Sequence, residues 1–227
     1  MFGVARLNTL AKNLGSSTPT SLTFVNYQTS TTTSLNPPTL IAGDLIVVFM
    51  VARNTTTTIP TSVNAAMATA GYSTVGTDKT LATTQGTRVS AYYKKAIGTE
   101  TTIGCMSGTQ STASWSASWR PNAPITTITP LGGTNASITD ATPTSITLTL
   151  AGRPSATIGI GSYFTNGSPT TVFAGTTGTT LAATRSFGPS GNLWSNAYET
   201  MGTNSTLSAP SDWGSGNGIW GFTLSVS

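Results

Sequence analysis

The chain has 227 residues, of which 37% are hydrophobic and only 7% are charged. A single all-β domain often reaches this length, so one main domain is expected. The net charge of +4 is too small for disorder driven by charge repulsion, and the basic residues are too scattered for a nucleic-acid footprint, so we expect neither class.

The N-terminal segment differs from the rest of the chain. Apolar residues recur there at helical spacing, and Gly15 follows as a stop signal. We interpret residues 1–20 as an arm that anchors the protein to an assembly partner; the alternative is a helix or first strand packed on its own domain. The segment lacks the continuous apolar core and cleavage site of a secretory signal, so synthesis and folding in the cytoplasm are expected. The candidate anchor residues are Phe2, Val4, Leu7, Leu10 and Leu14.

Residues 21–227 carry the signals of short strands. Leu22 and Phe24 open the first strand, and the run from Leu45 to Ala52 has the length of a central strand, with a turn at Gly43 and Asp44 before it. This run is the longest apolar stretch, at eight residues, whereas a membrane helix needs about 20. We therefore expect no membrane span.

Strict alternation predicts the later strands. Each run should place apolar side chains on a core face and hydroxyl or glycine residues on the other face. The runs are centred on Ala91, Ala117, Leu148, Gly159 and Phe222, and the last is expected to continue to the end of the sequence.

Turn signals separate these runs and set the expected fold. They include Asn135, Gly152, Asn166–Gly167, Gly175 and Gly188–Pro189, and the stretch 121–145 is interpreted as a loop that crosses between sheets. Short strands at this spacing predict an antiparallel sandwich of eight or more strands. Thr, Ser, Gly and Pro are poor helix formers, which favours the same all-β class.

Parts of the chain resemble virion proteins of tailed bacteriophages. The resemblance lies in AGDLIVVFMVAR at 42–53, VSAYYKKAIGTETTIGCMSG at 89–108, the aromatic strand through Trp119 and Arg120, and the opening MFGVARLNTL. It covers about half of the chain. It implies a jelly-roll-like domain, homo-oligomerisation and a place in a tail, fibre, baseplate or capsid decoration, and it implies no catalytic residue.

Residue types limit the available chemistry. The chain has no histidine, which removes Ser-His-Asp and Cys-His arrangements and histidine zinc sites. Cys105 is the single cysteine, so no intramolecular disulfide can form, and we interpret it as a small buried residue beside Met106. No calcium-loop or nucleotide-binding motif is present, and we expect no cofactor, metal or catalytic residue.

The carboxylates are few and fit turns better than catalysis. Asp44, Glu100 and Asp212 follow Gly or Pro signals, so each is expected to cap local backbone amides. A glycosidase needs two carboxylates within about 5 to 9.5 Å, and Glu199 with Asp212 is the best-placed pair for that alternative.

Aromatic residues near the C-terminus leave two interpretations open. They lie in or beside loops rich in Gly, Asn and Ser, where they suit sugar rings, but Trp and Tyr also pack cores and subunit interfaces, and we favour packing. These residues are Trp194, Tyr198, Trp213 and Trp220.

The sequence therefore predicts a non-enzymatic phage virion protein, assembled in the host cytoplasm and most consistent with a tail, fibre or baseplate position. Its expected partners are other virion proteins and further copies of itself, with a trimer favoured. The alternatives are a capsid decoration protein and a module on the virion surface that binds a host glycan or receptor.

Overall fold

Antiparallel strands dominate the chain in the computed structural model, which describes residues 19–30, 32–82, 85–106, 111–139, 145–148, 156–166, 183–190, 193–201, 205–208 and 217–227. The elements in chain order are β1 (Leu22–Ser30), β2 (Ser34–Leu35), β3 (Leu45–Arg53), α1 (Asn64–Thr69), β4 (Ser73–Thr74), β5 (Lys79–Leu81), β6 (Thr87–Lys95), β7 (Ile103–Gly104), β8 (Ser111–Pro121), β9 (Ile128–Thr139), β10 (Ser145–Leu148), β11 (Thr157–Asn166), β12 (Ala183–Ser190), β13 (Leu193–Met201), β14 (Ser205–Ser208) and β15 (Asn217–Val226). The predicted all-β antiparallel sandwich is confirmed.

The first sheet has the strand order β1-β8-β3-β6-β4, and β5 also pairs with β6. Strand β3 lies between β8 and β6, and all nine of its residues are buried. Its uninterrupted run of apolar residues matches this position, because a strand covered on both faces does not need to alternate. The prediction of a buried central strand is confirmed.

The second sheet has the order β12-β13-β11-β15-β9, and its pairs are also antiparallel. Strand β15 supplies the predicted final run as far as Val226. Two small pairs, β10 with β14 and β2 with β7, complete the described strands.

The two sheets share one apolar core, which we call the inter-sheet core. Its centre is aromatic: the ring centroids of Phe49 and Trp115 lie 5.7 Å apart, and those of Phe49 and Trp220 lie 5.9 Å apart. Phe49 and Trp115 come from the first sheet and Trp220 from the second, so this core joins the sheets. Alternation placed Trp115, Ala117 and Trp119 on the core face, as predicted.

The opposite face of the first sheet is also covered, by α1, β7 and the segment after β2. It holds a second apolar group that includes Met50, Met67 and Met106. The hydroxyl residues of β8 lie on this second face, as alternation predicted, and Ser116 and Ser118 are fully buried there. Ser116 Oγ donates to Asn36 O at 3.3 Å and Ser118 Oγ donates to Thr39 O at 3.2 Å, so backbone carbonyls satisfy these hydroxyls.

Two predicted irregular stretches are strands. The loop expected at 121–145 contains β9, and Asn135, expected in a turn, pairs with Gly221. The turn expected at Gly188–Pro189 lies within β12 at a shift of register. Both strands are at the ends of the second sheet, where a proline or an irregular pair removes few ladder hydrogen bonds.

Each of the two large sheets is formed by one half of the sequence. All strands of the first sheet come from residues 22–121, and all strands of the second come from residues 128–226. This order does not confirm the jelly-roll-like connectivity implied by the resemblance, because a jelly roll has two Greek keys that interleave its sheets. The proposed arm lies outside the described residues, apart from residues 19 and 20.

Candidate functional site

A tight turn before β3 forms the base of the candidate site. Gly43 has a φ of +96°, a left-handed conformation that favours glycine. The amide of Ile41 donates to Asp44 Oδ2 at 2.9 Å, and the amide of Gly43 donates to Ala96 O at 2.9 Å. The predicted turn at Gly43 and Asp44 is confirmed, and so is the expectation that Asp44 caps a local amide.

Asp44 also binds an arginine from the end of β8. Arg120 donates from Nε to Asp44 Oδ1 at 3.0 Å and from Nη2 to Oδ2 at 3.1 Å, in a bidentate pair. The Arg120 side chain is 45% exposed, whereas that of Asp44 is 1% exposed. The hydrogen bonds to Asp44, together with its charge, raise the pKa of Arg120. The pair therefore ties β8 to the start of β3 and leaves the guanidinium partly open to solvent.

A groove with a volume of about 290 Å³ surrounds this ion pair. Its walls combine apolar residues with the polar groups of Asn122 and Lys95; the apolar wall residues are Ile41, Ala42, Pro121, Ala123 and Pro124. Ile41 is 54% exposed, and nearby Ile97 is 61% exposed. This arrangement suits apolar contact beside one half-exposed arginine.

The groove lies where the sandwich begins. Asn122, one of its wall residues, accepts hydrogen bonds through Oδ1 from the amides of Thr20 at 2.9 Å and Ser21 at 3.1 Å. Thr20 and Ser21, near the start of the described residues, therefore lie beside the groove. Sequence reasoning missed this site, because its two halves, residues 41–44 and 120–124, are brought together only by the pairing of β3 with β8.

A second polar cluster surrounds Asp78. Its carboxylate accepts hydrogen bonds from Ser90 Oγ at 2.5 Å, Arg88 Nη1 at 2.7 Å and Ser62 Oγ at 3.0 Å. Burial acts to raise the pKa of Asp78, but these hydrogen bonds outweigh it and hold the pKa below its usual value. The cluster fastens the chain around residue 62 to the face of β6 that points away from the inter-sheet core.

Replacing Asp78 with asparagine is expected to lower the free energy of unfolding by about 1–3 kcal/mol at pH 7, because buried Ser90 and part-buried Arg88 lose a charged acceptor. The lowered pKa means that the carboxylate stabilises the fold above about pH 4 and loses this effect as the pH falls through its folded-state value. The variant should therefore show a flatter dependence of stability on pH between about 5 and 2. Urea unfolding across this pH range measures both effects, and Thr80→Ala, at an exposed position, is the control. If the stability of Asp78→Asn depends on pH as steeply as that of the parent protein, the argument is contradicted.

Glu100 caps the turn after β6. Its carboxylate accepts the amides of Ile97 at 2.6 Å and Gly98 at 3.0 Å, as predicted for a turn carboxylate. Lys94 Nζ lies 3.6 Å from Glu100 Oε1 and donates to Ala70 O at 2.9 Å. The third predicted cap, Asp212, lies outside the described residues, and for Glu199 only the strand position in β13 is described.

Cys105 is buried beside Met106, which confirms its interpretation as a packed residue. Burial raises the pKa of its thiol, so the neutral form is favoured. Within the described ranges, no group of three or more Cys, Asp or Glu side chains is arranged to hold a metal ion. In those same ranges, no helix is long and apolar enough to cross a membrane.

The C-terminal aromatic residues divide into three cases. Trp220 is fully buried in the inter-sheet core, so it packs the sandwich and does not face a ligand. Trp194 and Tyr198 occupy positions in β13, and their side chains lie outside the described part. Trp213 lies outside the described residues, as do all the anchor residues, Phe2, Val4, Leu7, Leu10 and Leu14. A sugar-binding role for Trp194, Tyr198 and Trp213 stays a prediction.

No family model, curated protein or solved structure matches this chain.

Proposed function

We propose that this chain is a non-enzymatic structural protein of a tailed-bacteriophage particle, in a tail, fibre or baseplate position. It acts by homo-oligomerisation and by docking to another virion protein. The resemblance supports the phage origin, and one structural observation carries the assembly role. The acidic residues whose side chains are described all hold turns or strands together; they are Asp44, Asp78 and Glu100.

This use of carboxylates favours contact over catalysis. A catalytic acid or base must reach a substrate, whereas Asp44 has 1% of its side chain exposed, Asp78 has 8% and Glu100 has 2%. The surface instead offers two exposed isoleucines and a groove beside Thr20 and Ser21, where the sandwich begins. These features suit a protein that binds neighbours at this end of the sandwich, with residues 1–15 as the anchor.

Deleting residues 1–15 is expected to leave the sandwich folded and to abolish incorporation into particles. The physical reason is that both sheets are built by pairing of strands from residue 22 onward, while the anchor residues would supply apolar contacts to a partner. Circular dichroism with thermal unfolding measures the fold, and protein quantification in purified particles measures incorporation.

A matched pair of full-length variants separates the apolar pattern from chain length. One variant replaces four apolar anchor residues with serine and should not be incorporated; these are Val4, Leu7, Leu10 and Leu14. The control replaces Asn8 and Asn13 with serine and should be incorporated normally. Incorporation of the truncated protein at the normal copy number would rule out the anchor.

A further inference from the structure

The charge that the groove presents to solvent is positive. Arg120 has 45% of its side chain exposed, Lys95 is also exposed, and both residues line the groove. The nearby carboxylates are hidden, because the side chains of Asp44 and Glu100 are 1% and 2% exposed, and each already faces a cation. A negative group that enters the groove is therefore attracted and meets no exposed carboxylate in the described walls.

Arg120 retains hydrogen-bond donors for a second acceptor. A guanidinium carries five N–H groups in a planar arrangement. Within the described residues its acceptor is Asp44, which takes two of the five through Nε and Nη2, so three donors remain. The remaining Nη1 and Nη2 donors can form a second bidentate pair with a planar carboxylate. Because Asp44 already holds the guanidinium, little side-chain freedom is lost when a second carboxylate binds.

The rest of the groove adds a second cation and apolar walls. Lys95 Nζ donates to Ile125 O at 2.6 Å, which keeps the ammonium beside the groove and leaves two of its three donors. Exposed Ile41 and Pro124 line the groove, and exposed Ile97 lies nearby. A ligand that fits both properties combines one carboxylate with aliphatic groups.

The groove is less suited to phosphate and to sugars. Phosphate sites commonly use several free backbone amides, but the turn amides of Ile41, Gly43 and Asp44 already donate within the protein. A sugar ring commonly packs on an aromatic face, and the described walls of the groove contain no aromatic residue. A polypeptide supplies a carboxylate and aliphatic neighbours in one short segment, so it fits best.

Charge also separates another protein from a second copy of this chain. Residues 1–18 include Arg6 and Lys12 but no Asp or Glu, so two exposed cations in the groove disfavour this segment as the occupant. Among the described side chains, no carboxylate is more than 8% exposed, so none of these can enter the groove of another copy. These observations favour a segment of a different protein.

We propose that the groove binds an acidic side chain, flanked by aliphatic residues, on a segment of another virion protein. The carboxylate pairs with the remaining donors of Arg120 and is attracted by the Lys95 ammonium, while the aliphatic neighbours contact Ile41 and Ile97. This inference rests on the proposed function, in which the chain docks to another virion protein, and it assigns that contact a surface and a chemistry.

Two blocked peptides that differ in one residue test the carboxylate. Acetyl-Leu-Glu-Leu-amide is titrated into the isotope-labelled full-length protein, and nuclear magnetic resonance follows the amides of Gly43 and Asn122 and the Nε–H group of Arg120. We expect saturable shifts at these groups, and about fivefold weaker binding of acetyl-Leu-Gln-Leu-amide, because the exchange removes one exposed ion pair. Equal affinities overturn carboxylate recognition, and so does inorganic phosphate that binds more tightly than the acidic peptide. The absence of saturable shifts with both peptides overturns the site.

Charge variants locate the binding on the surface. Lys95→Gln and Arg120→Lys should each weaken binding of the acidic peptide about threefold to fivefold. The control is Lys79→Gln, which removes the same charge from β5, near the opposite end of β6 from Lys95, and should bind like the parent. Lys95→Gln leaves the pair of Arg120 with Asp44 intact, so it serves as the test if Arg120→Lys unfolds. Unchanged binding in Lys95→Gln, or an equal loss in Lys79→Gln, overturns the assignment to the groove.

Particle incorporation separates this inference from the function on which it rests. Lys95→Glu should reduce incorporation about fivefold, whereas Lys79→Glu should leave it normal. Normal incorporation of Lys95→Glu overturns the groove contact and leaves the assembly function with its N-terminal anchor. Absence of the parent protein from purified particles overturns the assembly function, while the peptide titration still decides the chemistry of the groove. Self-association that Lys95→Glu weakens and Lys79→Glu does not assigns the groove to a second copy and overturns the other protein as its occupant.

Discussion

Replacing Trp220 with alanine is expected to lower the free energy of unfolding by about 3–5 kcal/mol. Trp220 is fully buried, and its ring centroid lies 5.9 Å from that of Phe49 across the inter-sheet core. The substitution removes a large apolar surface and leaves a cavity that the two sheets cannot fill without moving closer together. A loss of this size is a large part of the roughly 5–15 kcal/mol that stabilises a typical domain.

Denaturant unfolding monitored by far-ultraviolet circular dichroism measures the effect of Trp220→Ala. The control is Ile97→Ala, which also removes an apolar side chain but from a position that is 61% exposed. The control should change stability by no more than about 0.5 kcal/mol. Equal losses for the two variants would contradict the assignment of Trp220 to the core.

Replacing Gly86 with alanine is expected to destabilise the protein by about 3 kcal/mol, at the upper end of the range for overpacking. A methyl group on Gly86 would overlap the carbonyl of Thr58 and lie 2.9 Å from Ile59 N, and these are backbone atoms that cannot rotate away. Gly86 also accepts the amide of Asn54 at 2.8 Å and donates to Thr56 O at 2.6 Å. The exposed threonine turn after β3 therefore depends on the close approach of this glycine.

The matched control is Gly104→Ala in β7, where an added methyl group would meet nothing within 4 Å. We expect this control to be neutral or slightly stabilising, because alanine restricts the unfolded chain more than glycine does. Thermal unfolding compares the two variants, and hydrogen exchange at residues 54–59 should accelerate only in Gly86→Ala. Similar melting temperatures for both variants would contradict the steric argument.

Alternation predicted β6, β8, β11 and β15, whereas β12 and β13 were not predicted. Trp115, Ala117 and Trp119 face the core because every second side chain of a strand points to the same face. The short elements β2, β4, β5 and β7 were missed, because two or three residues carry no period. Strand β9 was missed because Pro130 and two glycines suggest a loop, although an edge strand tolerates them.

The candidate site was predicted only in its local part. The Gly43–Asp44 turn depends on neighbouring residues, whereas the bond from Arg120 to Asp44 depends on a register between strands 76 residues apart. The burial of Ser116 and Ser118 was missed for the same reason, since the covering carbonyls belong to Asn36 and Thr39. Spacing along the chain contains no information on such distant partners.

The division of the two sheets between the two halves of the sequence affects how the protein is made. Strand β1 pairs with β8 about a hundred residues later, and the first sheet is complete by residue 121, before any strand of the second exists. Until residues 128–226 leave the ribosome, the nascent chain exposes Phe49 and Trp115 on an open apolar sheet. A shortened chain that ends at residue 125 should consequently aggregate or bind chaperones during translation, and adding residues 126–227 as a separate polypeptide should partly rescue it.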